Sequence, residues 1–300
     1  MQGYFFAECG VEMFYVIFDL EWNNAYDYKL GKGINEIIEI GAVKLDEKLN
    51  IVDTFKQLIK PKHSKLSSRF KRLTHISAEE IREKGIPLGD AVADFSQWSG
   101  RENSVFMSWS NSDLYVLTDN FKKLLGVSGV DFIKKYADVQ KYCQSFLEDN
   151  GPNQIGLSRC AEMMEISVDN ENLHRALEDC YLAAECFKKV FDKEKFADFI
   201  VECDRSFFER LVFKPYYITK NVTEDFNVNE QKLFCPHCKR ELRVLRNYES
   251  VNKSFRTVCE CRECKKKFWA FIRAKRTYDG VEVTAKINVM NKKRAKAIKS

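Results

Sequence analysis

Three apolar runs crowd into the first sixty residues: 14–20 (FYVIFDL), 37–45 (IIEIGAVKL) and 51–59 (IVDTFKQLI). Each is short, rich in β-branched and aromatic residues, and set off by polar stretches such as DEKLN (46–50). That pattern predicts three consecutive strands in an antiparallel meander. Beyond it the chain reads as a polar, basic loop (60–74), helices from about Ala78 and over 90–98, a strand at 104–109, and a helix over 113–125. A strand near 131–139 and a helix around 140–149 follow, the latter ended by Asn150, Gly151 and Pro152. The last clear helix starts near Leu173, with Leu177, Cys180, Tyr181, Ala184, Phe187 and Phe191 spaced as one apolar stripe. Strands first, then strands alternating with helices, imply an α/β body with a mixed sheet.

A chain of 300 residues with 45% hydrophobic content suits one domain of roughly 200 residues plus a small appendage. No apolar run reaches the roughly 18 residues a membrane span needs. The N-terminal MQGYFFAECGVEMF lacks a basic start and is interrupted by Glu8 and Glu12, so it does not read as a signal peptide. The expected compartment is the cytoplasm. Cys9, Cys143, Cys160, Cys180, Cys186 and Cys203 are scattered, as reduced core residues are, whereas the other five cysteines lie between 235 and 264. Charge is divided as well. Residues 231–300 carry 20 Lys and Arg against 6 Asp and Glu, leaving 29 against 38 in residues 1–230. An acidic body suited to divalent cations is joined to a basic end suited to a polyanion.

Alternation along a strand sends Asp19 and Glu21 to the same face, where burial without a counter-charge costs several kcal/mol or more. A strand end running into a polar turn would tolerate them, as would a cation. Asp113 opens a helix four residues after the strand ending at Trp109, and as a plain N-cap it would need no function. Asp179 lies close to the apolar stripe of the last helix, and His174 precedes it by five residues, at the loop entering that helix.

These residues resemble the motifs of the DEDD nuclease superfamily with a histidine in its third motif, the group that includes RNase T, oligoribonuclease-like and proofreading exonucleases and the Eri-type RNA exonucleases. FDLEWN (18–23) is similar to the first motif, SWSNSDLYVL (108–117) to the second and HRALEDCYLAA (174–184) to the third, in matching order over about residues 13–192. The resemblance implies an RNase H-like α/β fold, a mixed sheet flanked by helices. It also implies two Mg²⁺ or Mn²⁺ ions held by Asp19, Glu21, Asp113 and Asp179, with Asp113 acting through water and His174 as general base. Leu20, Trp22 and Asn23 are the expected contacts to the terminal nucleotide, Asn23 standing where many relatives carry Thr. The setting DLEWN, with LIKP (58–61) and LTHI (73–76), is more similar to the Eri-type branch than to polymerase proofreading subunits.

CPHC (235–238) and CREC (261–264) form two C-x₂-C knuckles separated by 22 residues. The spacing predicts a zinc ribbon with Cys235, Cys238, Cys261 and Cys264 as ligands to one structural Zn²⁺; Cys259 is out of register for a knuckle, and His237 packs or faces solvent. Basic residues here interleave with Phe255, Phe268, Trp269 and Phe271, which suits single strands stacked on aromatics and contacted by residues such as Lys266 and Trp269. The same aromatics also suit a small core. The basic stretch 60–72 either guides substrate or is a solvated loop.

The expected organisation is an exonuclease domain at 13–195, a helical segment and linker at 196–230, a zinc ribbon at 231–290 and a basic tail at 291–300, with residues 1–12 as an extension. The expected function is metal-dependent 3′-to-5′ hydrolysis of single-stranded or overhanging nucleic acid to nucleoside 5′-monophosphates, RNA favoured over DNA. Two rivals stand beside it: a DNA 3′-to-5′ exonuclease, and a nucleic-acid-binding protein that has lost turnover. The expected partner is nucleic acid, without a membrane; on protein partners the sequence is silent.

Overall fold

The structure, a computed structural model, describes residues 13–27, 31–63, 65–100, 103–147, 153–168 and 175–290. The chain divides into two compact units between Val212 and Phe213. The extension 1–12, the helix terminators 150–152 and the tail 291–300 lie outside the described residues.

In the first unit the apolar runs form β1 (Phe14–Asp27), β2 (Lys32–Leu45) and β3 (Ile51–Leu58), paired as the expected antiparallel meander. β4 (Ser104–Ser108) and β5 (Lys135–Asp138) add in parallel beyond β1, and β6 (Val201–Glu202) completes the order 3-2-1-4-5-6 antiparallel to β5. The helices are α1 (Ser68–Thr74), α2 (Ala78–Lys84), α3 (Leu88–Ser99), α4 (Ser112–Asn120), α5 (Val139–Gln144), α6 (Leu157–Met163), α7 (Ala176–Val190), α8 (Lys193–Ala197) and α9 (Arg205–Val212). Among the described residues no helix is long and apolar enough to cross a membrane.

Alternation sorts β1 between two cores. Val16, Phe18 and Leu20 pack with Phe95 of α3, Leu117 of α4 and Phe208 of α9. Tyr15 and Ile17 pack on the other face with Tyr142 of α5, Cys160 of α6 and Phe187 of α7. Each Val, Leu, Ile and Phe among these gains about 1.5–3 kcal/mol on burial. Together they hold in the sheet two carboxylates whose desolvation costs several kcal/mol each.

Two local readings are corrected. The basic stretch 60–74 is not all loop: it contains α1, where the Ser67 hydroxyl accepts the Phe70 N–H at 3.1 Å and Phe70 and Thr74 are buried. A helix this short, with two buried positions among basic residues, has almost no periodic signal. In α7, Tyr181 faces outward at 39% exposure, and Ala183 and Cys186 join Cys180, Ala184 and Phe187 on the inner face. The first turn of the helix lies so close to β2 that Gly41 has no room for a side chain.

The second unit comprises β7 (Tyr216–Tyr217), β8 (Val222–Thr223), β9 (Phe226–Asn227), β10 (Arg243–Val244), β11 (Glu249–Val251), β12 (Ser254–Cys261), β13 (Lys266–Thr277) and β14 (Gly280–Val289). Its sheet runs β10-β12-β13-β14, with β11 also on β12 and β7 on β13. Phe255, Cys259, Phe268, Ala270 and Ile272 form its core with Ile218, Phe226 and Val228. Residues 196–230, expected as a helical segment and linker, are therefore shared: α9 buries Phe208 in the first unit, and the segment after Val212 completes the second.

Candidate active site and four-cysteine cluster

Asp19 and Glu21 sit on the α7 face of β1, opposite Gly41 and Glu39 of β2. Gly41 decides what lies above them. A Cβ there would stand 2.3 Å from the Leu177 nitrogen and 2.4 Å from the Ala176 carbonyl carbon, so glycine is what lets the first turn of α7 rest on the strand. That turn carries Asp179, and carboxylate oxygens of Asp19, Glu21 and Asp179 come within 4.8 Å of one another.

Asp113 arrives from the other side. The parallel ladder between β1 and β4 stops at Ile17–Met107, and the buried Asp113, in the first turn of α4, accepts the Leu20 N–H on Oδ1 at 3.1 Å. It is not the helix N-cap, a place held by Asn111. The four carboxylates line a cleft of about 520 Å³ whose walls include Leu20 and Trp22 of β1, Arg69, Phe70 and Leu73 of α1, and Trp109.

Burial, then the neighbouring carboxylates, push the Asp19 carboxyl well above its ordinary range. Desolvation first, then Asp179, Glu39 and Asp113, raise Glu21 to about 9, opposed by Arg175. Desolvation also raises Asp113, against the Leu20 N–H bond that favours its charged form. Arg175 is committed elsewhere: its Nη2 and Nε donate to the buried Glu39 at 2.8 and 3.2 Å. Clustered, desolvated oxygen donors short of positive charge are the donor set of a hard divalent cation, so the residues present fit the metal chemistry expected of them.

The model of the RNase T exonuclease family matches residues 6–187. The chain belongs to this family of exonucleases. Among solved structures, the exonuclease resembles the nuclease domain of 3′hExo, a DEDDh family member, at 18% identity and a TM-score of 0.50, over 60% of this chain and 92% of that one. It also resembles cell-death related nuclease 4 (CRN-4) at 16% identity and a TM-score of 0.50, over 76% and 87% of the two chains. At these identities the likeness is one of fold, the RNase H-like α/β architecture. No curated protein matches by sequence.

Of the other expected site residues, Leu20 and Trp22 line the cleft of the exonuclease. Asn23 does not. It is buried, its amide nitrogen donating to the Lys65 carbonyl at 3.2 Å and its oxygen accepting the Ser67 N–H at 3.1 Å, so it ties β1 to the start of α1. His174 lies outside the described residues. Sequence reasoning missed Glu39, Arg175 and Gly41. Glu39 pairs with Arg175 and also accepts the Ala176 N–H at 3.3 Å, anchoring the start of α7. The available signal was one acid and one glycine inside the apolar run IIEIGAVKL.

In the second unit, sulfur atoms of Cys235, Cys238, Cys261 and Cys264 lie within 4.8 Å of one another. The Cys238–Cys261 and Cys235–Cys264 separations are 3.4 and 3.9 Å, close to the roughly 3.8 Å between thiolates around a tetrahedral zinc with bonds of about 2.3 Å. Each knuckle ends on a lysine in the left-handed region, Lys239 (φ 60°) and Lys265 (φ 54°), and the Cys264 N–H points to the Cys261 sulfur at 3.4 Å. The cluster fits a zinc ribbon. Cys259 lies in the core instead, and His237 is exposed. Lys266 is exposed on β13, and Trp269 is half-buried there with the Arg256 guanidinium 5.2 Å from its ring centroid.

Proposed function

We propose that this exonuclease removes nucleotides from the 3′ end of single-stranded or overhanging nucleic acid, RNA in preference to DNA, and releases nucleoside 5′-monophosphates. The observation that carries the reading is the convergence of Asp19, Glu21 and Asp179 within 4.8 Å under desolvation. With Asp113 they would hold two divalent cations, Mg²⁺ or Mn²⁺. Such ions, when bound, offset phosphate charge, help ionise water and stabilise the departing 3′ oxygen.

The chain's own groups do the rest. Asp113 fixes the Leu20 backbone, and with it the cleft wall where Leu20 and Trp22 would receive the terminal sugar and base. Arg69 offers the phosphate a positive partner from α1. His174, assigned by motif resemblance, would accept the proton of the attacking water. Cys235, Cys238, Cys261 and Cys264 would hold one Zn²⁺ that staples the second unit. The preference for RNA is supported by the similarity to the Eri-type branch, and 3′hExo was solved bound to rAMP.

The test is a time course on 5′-labelled single-stranded and overhanging RNA and DNA, with Mg²⁺, Mn²⁺ or EDTA, beside Asp19→Ala. A ladder shortening from the 3′ end, dependent on metal and faster on RNA, is expected. Binding without cleavage under every metal condition would overturn the assignment, and faster loss of DNA would overturn the preference.

A further inference from the structure

The sheet of the second unit has two unlike faces. Phe255, Phe268, Ala270 and Ile272 turn into the core. The alternate positions of the same strands, Trp269, Phe271 and Arg273 on β13, turn the other way. Register sets Arg256 of β12, Phe271 of β13 and Lys286 of β14 in one row, and pairs Arg273 with Thr284 and Trp269 with Asn288 in the rows beside it.

This face is built for a ligand with both rings and negative charge. Phe271, Arg273, Thr284, Lys286, Asn288 and Ser254 line a concavity of about 410 Å³. Arg273 and Lys286 are exposed, and among the described residues no acidic group pairs with either; Arg273 is instead steadied by donating Nε to the Ser254 hydroxyl at 3.0 Å. Arg256 is held by Glu249 at 2.9 Å and lies over the Trp269 ring, which fixes the edge of the platform. Residues 231–290 carry 15 Lys and Arg against 6 Asp and Glu, so the surroundings favour a polyanion.

We propose that this face is a docking surface for single-stranded nucleic acid, a base stacking on Phe271 while Arg273 and Lys286 take the flanking phosphates. A half-buried ring between two cations reaches a base only when that base is unpaired, and duplexes keep theirs stacked inside. The proposal rests on the exonuclease reading for the class of partner only, since the binding it predicts requires no turnover.

The test uses the full chain carrying Asp19→Ala, with zinc retained, and the fluorescence anisotropy of a labelled single strand of about twenty nucleotides over a range of salt. Phe271→Ala is expected to weaken binding on the order of tenfold with the salt slope unchanged, and Phe271→Tyr to keep it. Arg273→Glu with Lys286→Glu should weaken binding by at least about tenfold and flatten the salt slope. Lys239→Glu with Arg240→Glu makes the same charge change in the first knuckle and should cost less than about threefold. Unchanged affinity in Phe271→Ala would overturn the proposal, as would equal losses from the two charge reversals. A dimer of the parent that Phe271→Ala dissolves would assign the face to a second copy instead. If the chain with Asp19 intact cuts nothing while the binding pattern holds, the surface stands and the cleavage assignment falls.

Discussion

Asp19 and Glu21 are compatible with folding only because the apolar residues around them outweigh the cost of their burial, and they are useful only if something else supplies positive charge. Glu21, raised to about 9 in the fold and ordinary in the unfolded chain, binds a proton more tightly when folded. Its contribution is therefore fully present below about pH 4 and is lost as pH climbs through the window up to about 9; Asp19 and Asp113 shift in the same direction. The metal-free protein is expected to melt at progressively lower temperature as pH rises across that window. Mg²⁺ or Mn²⁺ should restore more at pH 8 than at pH 5.5, and parallel melting curves with and without metal at both values would contradict this. Asp19→Ala should lower the cleavage rate by on the order of 10³-fold, several kcal/mol of lost charge stabilisation, yet raise the melting temperature of the metal-free protein, because it removes one member of a mutually repelling set. The pair was legible in the sequence by simple alternation. The fate of Asn23 was not, because nothing in WNN says which amide turns inward to meet Lys65 and Ser67.

At the scale of elements, the arrangement depends on β2 and α7 touching almost backbone to backbone. Gly41→Ala places a methyl carbon against main-chain atoms that cannot step aside, and should cost more than about 3 kcal/mol in chemical denaturation. Glu39→Gln leaves Arg175 without its bidentate partner. Arg175 is about one-fifth exposed, so the expected loss is about 3 kcal/mol, at the low end for a broken buried pair, together with weaker metal binding by calorimetry. Unaltered stability in either variant would mean that α7 is held by its apolar face alone. Whereas α6 and the two-residue β6 were too short to leave a pattern, the order of β1 to β5, of α2 to α5 and of α7, the helix bearing Asp179, was readable from periodicity. The pair Glu39–Arg175 was not, since partners 136 positions apart leave no local pattern, and α1 was hidden for the opposite reason, its local pattern being nearly all charge.

On the scale of the whole molecule, two units with separate cores should respond separately to loss of metal. A zinc-selective chelator, or Cys261→Ser, is expected to abolish the calorimetric transition of the second unit while leaving that of the first in place, since structural zinc contributes about 10–16 kcal/mol to units of this kind. One transition lost as a whole would show that the two units fold as one. The two knuckles announced the second unit in the sequence, whereas the inclusion of Ile218, Phe226 and Val228 in its core was obscured by the polar residues between them. The carboxylate cluster, finally, gathers positions 19, 21, 113 and 179. During synthesis the first pair emerges long before its last member, and at about 5–20 residues per second the interval is roughly 8–30 s. For that time the growing chain holds two of the four carboxylates without the partners that the fold later brings beside them.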